Sequence, residues 1–206
     1  MSYGSQNIAV YSGSFNPLHI GHLAIIRHMI EVAGFDMVYL IVSPKNPLKD
    51  GISSDSGRER YMAAVEAVER RFLRSGLSAS GRNDSKAVEA RVKVDDIELN
   101  MPEPHYTIRT LDALKEREPD NRFTLVMGAD NLADIRRWRD YTRILKEFGV
   151  AVFPREGHDL TEIKQDLLKE DPAYMIQILD AEMVDISSTQ IRNAIAEGED
   201  ISKYLM

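Results

Sequence analysis

Cysteine is absent from this 206-residue chain, which excludes disulfides and thiolate metal sites and points to a reducing compartment, the cytoplasm. No apolar run approaches the roughly 20 residues a membrane helix requires, so no membrane partner is expected. The opening residues, Met1-Ser2-Tyr3-Gly4-Ser5-Gln6-Asn7, lack the basic region and apolar run of a signal peptide. Positive charge is in short supply as well. A formal charge of −7 disfavours a nucleic-acid partner, because such proteins are usually basic; cations meant for phosphate must be gathered in a pocket. Internal repeats are missing, and so is the tight His and carboxylate clustering of a structural metal site, so no protein-held metal is expected.

The remaining composition, 43% hydrophobic and 29% charged, is an ordinary globular balance. It supports a single domain over residues 1–206 with a sizeable core. Short apolar runs at Ile8–Tyr11, Met37–Val42, Phe123–Met127 and Val150–Phe153 read as buried strands. Val92–Leu99 alternates imperfectly and reads as a more exposed strand. Helical sequence stands between the runs, at Leu23–Ala33, Glu59–Phe72, Thr107–Glu116 and beyond Val150–Phe153. Near-continuous apolar strands separated by helices predict an α/β fold: a doubly wound, mainly parallel sheet with helices on both faces. In such a fold, ligands bind beyond the carboxyl ends of the strands.

The most informative stretch is the first strand running into Ser12-Gly13-Ser14-Phe15-Asn16-Pro17-Leu18-His19-Ile20-Gly21-His22. Gly13 and Gly21 let the backbone come close to a ligand, Asn16-Pro17 turns the chain, and the helix that follows aims its partly positive N-terminus at the turn. His19 and His22 are delivered to the same place, making a site for phosphate. Near the C-terminus, Asp185-Ile186-Ser187-Ser188-Thr189-Gln190-Ile191-Arg192 opens with a capping box, Ser187 with Gln190, so a helical portion starts at about residue 187. Its consecutive hydroxyls and Arg192 suit a second anion site, for the β- and γ-phosphates of a nucleotide.

Two further stretches follow buried strands. Ser43-Pro44-Lys45-Asn46-Pro47-Leu48-Lys49 is a stiffened loop whose Lys45 and Lys49 could meet phosphate. In Met127-Gly128-Ala129-Asp130-Asn131-Leu132, Asp130 could accept ribose hydroxyls, orient a metal or cap the next helix. Trp138, the sole tryptophan, offers a flat face between basic neighbours. Residues 75–90, rich in Gly, Ser, Asn and Asp, read as a surface loop or insertion. The glycine spacing of Gly76 to Gly81 imitates a P-loop but lacks the Lys and hydroxyl that would complete one.

Together, His19-Ile20-Gly21-His22 and Ile186 to Arg192 resemble the two signatures of the nucleotidylyltransferase superfamily, which has a Rossmann-like fold. Within it the chain is similar to the bacterial nicotinate mononucleotide adenylyltransferases. That similarity rests on Gly13-Ser14-Phe15-Asn16-Pro17, the Pro44–Lys49 loop, Pro104-His105-Tyr106-Thr107, Gly128-Ala129-Asp130-Asn131 and Trp138. Ser12 departs from a common glycine and His105 from a common serine, which puts fine positioning in question and not the reaction.

The resemblance implies transfer of adenylate from ATP to nicotinate mononucleotide, with magnesium as the cofactor. It assigns ATP to Gly13, Ser14, Phe15, His19, His22, Ser187, Ser188, Thr189 and Arg192, with His19, His22 and Arg192 catalytic. The mononucleotide falls to Lys45, Lys49, Tyr106, Thr107, Gly128, Asp130, Asn131 and Trp138. Nicotinamide mononucleotide as the preferred acceptor, and a nucleotide-sensing module without turnover, stand as alternatives. Self-association is left open.

Overall fold

The structure, a computed structural model, describes residues 4–44, 57–75, 91–181 and 188–205. Lys45, Lys49, Ser187 and residues 76–90 lie outside the described residues.

Six strands form one sheet: β1 (Asn7–Gly13), β2 (Met37–Val42), β3 (Val92–Asp95), β4 (Arg122–Gly128), β5 (Val150–Phe153) and β6 (Ile176–Ile178). Their order is β3-β2-β1-β4-β5-β6 and every pairing is parallel. Seven helices accompany them among the described residues: α1 (Ile20–Glu31), α2 (Gly57–Ser75), α3 (Thr107–Arg117), α4 (Ala129–Ala133), α5 (Tyr141–Arg143, continuing as a π-turn over Ile144–Phe148), α6 (Leu160–Glu170) and α7 (Ser188–Ala196).

The central strands are apolar on both faces because both faces are covered. Alternate residues divide cleanly between two cores. Ile8, Val10, Tyr39, Ile41, Leu125 and Met127 point to the side where α3, α4, the π-turn and α6 bring Leu111, Leu114, Leu132, Leu145 and Leu167. Ala9, Tyr11, Val38, Leu40, Val42 and Phe153 point to the side where α1 and α2 bring Ile26, Met29, Ile30, Ala64 and Val68. This is the doubly wound arrangement the sequence predicts, with the sheet wholly and not merely mainly parallel.

Two expectations are corrected. The strand read over Val92–Leu99 stops at Asp95, whose Oδ1 accepts the amide of Ile97 at 3.0 Å and turns the chain into a 3-10 turn at Ile97–Asn100. Asp95 is buried and takes two bonds from Arg117 of α3, at 3.1 and 2.6 Å, which ties the sheet edge to that helix. The other correction is β6, a three-residue edge strand that the sequence reading leaves out. Ile176-Gln177-Ile178 is too short to show a period.

Candidate active site at the strand reversal

Strand order reverses between β1 and β4: the chain leaves β1 toward β2 on one side and leaves β4 toward β5 on the other. A crevice opens beyond the carboxyl ends of such a pair. Four strand ends deliver residues to it: Gly13–His22 after β1, Ser43–Pro44 after β2, Gly128–Asn131 after β4, and Pro154–Arg155 after β5.

The turn after β1 passes through Phe15, a non-glycine residue at φ 44°. That conformation costs about 1–3 kcal/mol and persists only where surroundings enforce it. Here the enforcement is aromatic. The buried Phe15 ring stands edge-on to Tyr11 (5.4 Å between centroids) and to His22 (5.2 Å). Phe15 thus shapes the turn and offers a ligand only its backbone.

The two histidines cap α1 by mutual exchange. His19, the N-cap residue, accepts the amide of Gly21 on its Nδ1 at 3.2 Å, and its own amide donates to Nδ1 of His22 at 3.2 Å. The imidazoles thereby take up the amides of His19 and Gly21 at the start of α1. In exchange, each ring's tautomer is fixed, because an Nδ1 that accepts leaves the proton on Nε2. Burial, and after it the charge of Arg155, hold the His19 imidazole down to about 4. Burial, the His19 ring and Arg155 push His22 well below its ordinary value. At neutral pH both rings are therefore uncharged with the proton on Nε2, and their centroids lie 3.7 Å apart.

Helix α7 docks onto this turn. Arg192 donates from Nη1 to the carbonyl of Asn16 at 2.8 Å and from Nη2 to Thr189 Oγ1 at 2.9 Å, while Ser188 Oγ donates to the carbonyl of Pro17 at 3.2 Å. The two signature segments, far apart in sequence, form one surface of hydroxyls, a guanidinium and imidazoles. Leu205 adds an isolated antiparallel bridge to His19.

At the neighbouring strand end, Gly128 is close-packed: an added Cβ would overlap Asp130 Oδ1 and stand 3.2 Å from the Phe153 ring and 3.3 Å from Arg155 Nε. The absence of a side chain lets the Asp130 carboxylate and the Arg155 guanidinium lie against its Cα. Asp130 and Asn131 are both exposed, and neither side chain caps α4, whose N-cap residue is Gly128. Arg155 is the residue the sequence reading misses. It follows β5 in Phe153-Pro154-Arg155, stacks over the Phe153 ring at 5.1 Å and forms no ion pair among the described residues. Only the strand before it marks it out in the sequence.

Tyr106 and Thr107 stand at the N-terminus of α3, which runs antiparallel to the strands and so starts at the same sheet edge. The Tyr106 side chain makes no cap, and the amides of Thr107 and Ile108 meet no backbone acceptor among the described residues. Arg109 holds the preceding loop through the carbonyls of Pro102 (3.1 Å) and Pro104 (2.8 Å). Trp138 is half-buried against the core, and Arg136, Arg137 and Arg139 beside it pair with Glu170, Asp134 and Asp140. No hydrogen bond or ring contact joins Tyr106, Thr107 or Trp138 to the histidine turn among the described residues.

Among the described residues no group of three or more His, Asp or Glu side chains could hold a metal ion. The histidine Nδ1 atoms are engaged and their Nε2 atoms carry protons, so neither ring is a ligand in this state. Such donors suit phosphate oxygens and leave a cation to be carried by the phosphate itself.

A wholly parallel sheet with imidazoles, hydroxyls and a guanidinium gathered at its reversal point places the chain among the doubly wound α/β proteins. Comparison with known proteins narrows the class. A family model described as cytidylyltransferase-like matches residues 10–194, and the chain belongs to that family. It is 36% identical over 97% of its length to a Flavobacterium johnsoniae protein named "Probable nicotinate-nucleotide adenylyltransferase", covering 92% of that protein. A Bacteroides fragilis protein of the same name is 35% identical over 95% of the chain and is covered to 85%. In fold, the chain matches the Plasmodium falciparum nicotinic acid mononucleotide adenylyltransferase complexed with NaAD, with a TM-score of 0.72 at 20% identity, covering 97% of this chain and 90% of that one. Family and fold agree with the resemblance carried by the two motifs.

Proposed function

We propose that this chain transfers the adenylyl group of ATP to nicotinate mononucleotide, giving nicotinate adenine dinucleotide and pyrophosphate in NAD biosynthesis. The observation that carries the chemistry is the pair of neutral Nε2–H donors on His19 and His22, set beside Arg192 on one turn at the strand reversal. The acceptor reading rests on the relatives named nicotinate-nucleotide adenylyltransferase.

The nucleophile is an oxygen of the mononucleotide phosphate. Its second pKa is about 6, so it is largely ionised at neutral pH and no general base is needed. It attacks the α-phosphorus of ATP, the bond from that phosphorus to the bridging oxygen breaks, and pyrophosphate leaves with the electron pair. Catalysis consists of aligning two polyanions and stabilising the charge that builds on the α-phosphoryl oxygens and the leaving group. His22, with His19 beside it, donates to the transferred phosphoryl group. Arg192, Ser188 and Thr189 hold the β- and γ-phosphates, joined by Ser187 from outside the described residues, and Arg155 adds positive charge from the β5 side. Gly13, Ser14 and Phe15 offer backbone to ATP. Asp130 and Asn131, beside Gly128, take the ribose of the mononucleotide. The α3 amides at Thr107, with Tyr106, face the nicotinate carboxylate, and Trp138 stacks on the pyridine ring. Lys45 and Lys49 are assigned to the mononucleotide phosphate on sequence alone.

Magnesium, held on phosphate oxygens and water with Asp130 offering a carboxylate to the water shell, supplies charge neutralisation when bound. One domain spanning the chain and a cytoplasmic location belong to the same reading.

The test is to supply ATP and magnesium with nicotinate or nicotinamide mononucleotide, separately, and to measure pyrophosphate and dinucleotide. Product from the nicotinate substrate is expected, at a clear preference. Preference for the amide would keep the mechanism and replace the acceptor. No product from either, with folded protein, would sink the proposal.

A further inference from the structure

Arg60 lies on the first turn of α2 and is almost completely enclosed, at 4% exposure. A guanidinium so deeply placed must find acceptors, and the ones it has are informative. From Nη1 it donates to the carbonyl of Ser14 at 2.9 Å and to that of Ser43 at 2.7 Å; from Nη2 it donates to the carbonyl of Pro44 at 2.7 Å. Ser14 begins the histidine turn after β1. Ser43 and Pro44 begin the segment after β2. One side chain, reaching up from a helix on one face of the sheet, therefore grips the backbone of two strand exits at once.

The two exits are also joined directly. The amide of Ser43 donates to the carbonyl of Gly13 at 2.9 Å, and the Ser12 and Ser43 hydroxyls lie 3.0 Å apart. Helix α2 is set tightly beneath them: a Cβ added at Gly57 would come within 2.8 Å of Leu99 Cδ2 and 3.0 Å of Pro44 Cα. On the far side of the same turn, Arg192 holds the carbonyl of Asn16, two residues from the Ser14 carbonyl that Arg60 holds. The stretch Ser14–Asn16 is pinned between two guanidiniums, one buried and one at the site.

We propose that Arg60 is a positioning residue that couples the two substrate sides of the crevice, so that ordering of the β1 turn by ATP also orders the β2 exit for the acceptor, and the reverse. The inference rests on the adenylyl-transfer reading above, in which the β1 turn receives ATP and the β2 exit leads to the acceptor phosphate. A planar fork with donors on separate nitrogens can span three carbonyls on two segments; a lysine ammonium is a single point and cannot hold the same spread. Coupling of this kind is reciprocal: each ligand raises the affinity of the other by the same factor.

The experiment compares the full chain with its Arg60→Lys and Arg60→Gln variants. Melting temperature, kcat, both KM values, and the affinity for a non-hydrolysable ATP analogue with and without nicotinate mononucleotide are measured. In the wild type, saturating mononucleotide is expected to tighten analogue binding. In Arg60→Lys the chain folds but melts lower, because buried carbonyls lose partners; kcat falls about 10- to 100-fold through misalignment, both ligands weaken, and the mutual tightening disappears. Wild-type coupling in folded Arg60→Lys or Arg60→Gln would overturn the inference, as would weakening of one ligand alone.

Hydrogen exchange on the wild type needs no variant. The ATP analogue alone should slow exchange at Ser43, and mononucleotide alone should slow it at Phe15. Protection confined to each ligand's own side would overturn the coupling. A wild type that turns over normally while the variants behave like it removes only the role of Arg60. A wild type that binds no mononucleotide removes the functional reading as well.

Discussion

The amide of His19 donates to Nδ1 of His22, and the rings of the two residues lie 3.7 Å apart. On the proposed reading, structure and chemistry therefore fall to different atoms of the same imidazole: Nδ1 caps the helix, and Nε2 is left for the phosphate. Substitution can separate them. His22→Asn keeps an acceptor near the Nδ1 position, so its melt should stay within a few degrees of wild type. It loses the far donor, so kcat should fall about 10²- to 10³-fold, as for removal of one transition-state hydrogen bond. His22→Gln is expected to show the opposite pattern, with lower melting temperature and more activity than the asparagine variant. Thermal melts and steady-state kinetics on both variants check this.

Burial gives the histidines a pH signature in stability. His19 falls to about 4 in the fold, against an ordinary value near 6.5, and His22 is lowered too. Between those pH values the unfolded chain binds more protons than the native one, so stability rises with pH across the window and is lost as pH falls from 6.5 toward 4. Each proton taken up on unfolding contributes a slope of about 1.4 kcal/mol per pH unit. The His19→Asn variant should lose stability less steeply than wild type over that range. Melts at half-unit intervals would show equal slopes if the prediction is wrong.

Arg192 is expected to be irreplaceable by lysine. It bridges the Asn16 carbonyl and the Thr189 hydroxyl with two nitrogens of one planar fork, a spread that a lysine's single nitrogen does not reproduce. In Arg192→Lys the KM for ATP should rise and kcat should fall about 10- to 100-fold, with the KM for the mononucleotide little changed. An equal rise in both KM values would contradict this division of labour.

Gly128→Ala drives a methyl group into the space of Asp130 Oδ1 and close to Arg155 Nε. Both are ends of exposed side chains that can swing aside, so the fold should survive. The expected cost falls on binding, about 10-fold in the KM for the mononucleotide, with a small change in melting temperature. Asp130→Ala should reproduce most of that loss, and a double variant should add little to it.

Asp95 provides a contrast away from the chemistry. Burial would raise its carboxyl, but hydrogen bonds from Arg117 and Lys93 outweigh that and hold it below its ordinary value. Asp95→Asn should lower stability by about 1–3 kcal/mol, the range for leaving a charged hydrogen-bonding partner unmatched. Denaturant unfolding reads the loss, and kcat should stay within about two-fold of wild type.

The sheet was legible in the sequence because its central strands are buried on both faces, which writes them as unbroken apolar runs such as Met37–Val42. β6 left no such mark, being a short edge strand with Gln177 and Ile178 exposed. The histidine turn and the Arg192 helix were legible because their distinctive side chains stand at fixed spacing within short segments. The capping exchange between His19 and His22 was not, since it depends on ring orientation. Arg60 and Arg155 were invisible for a related reason. Each is a lone arginine in a helix or loop, and only the folded chain shows that one reaches three carbonyls on two strand exits and the other rests beside Gly128.

The bond from Arg192 to Asn16 spans 176 positions, and that from Ser188 to Pro17 spans 171. A chain emerging N-terminus first makes the histidine turn early and α7 very late. Through most of synthesis the turn lacks its partner, and on the proposed reading ATP then has little to hold. Ligand stabilisation reaches only species that possess the site, so ATP can rescue a nearly complete chain but does nothing for a fragment clipped before α7.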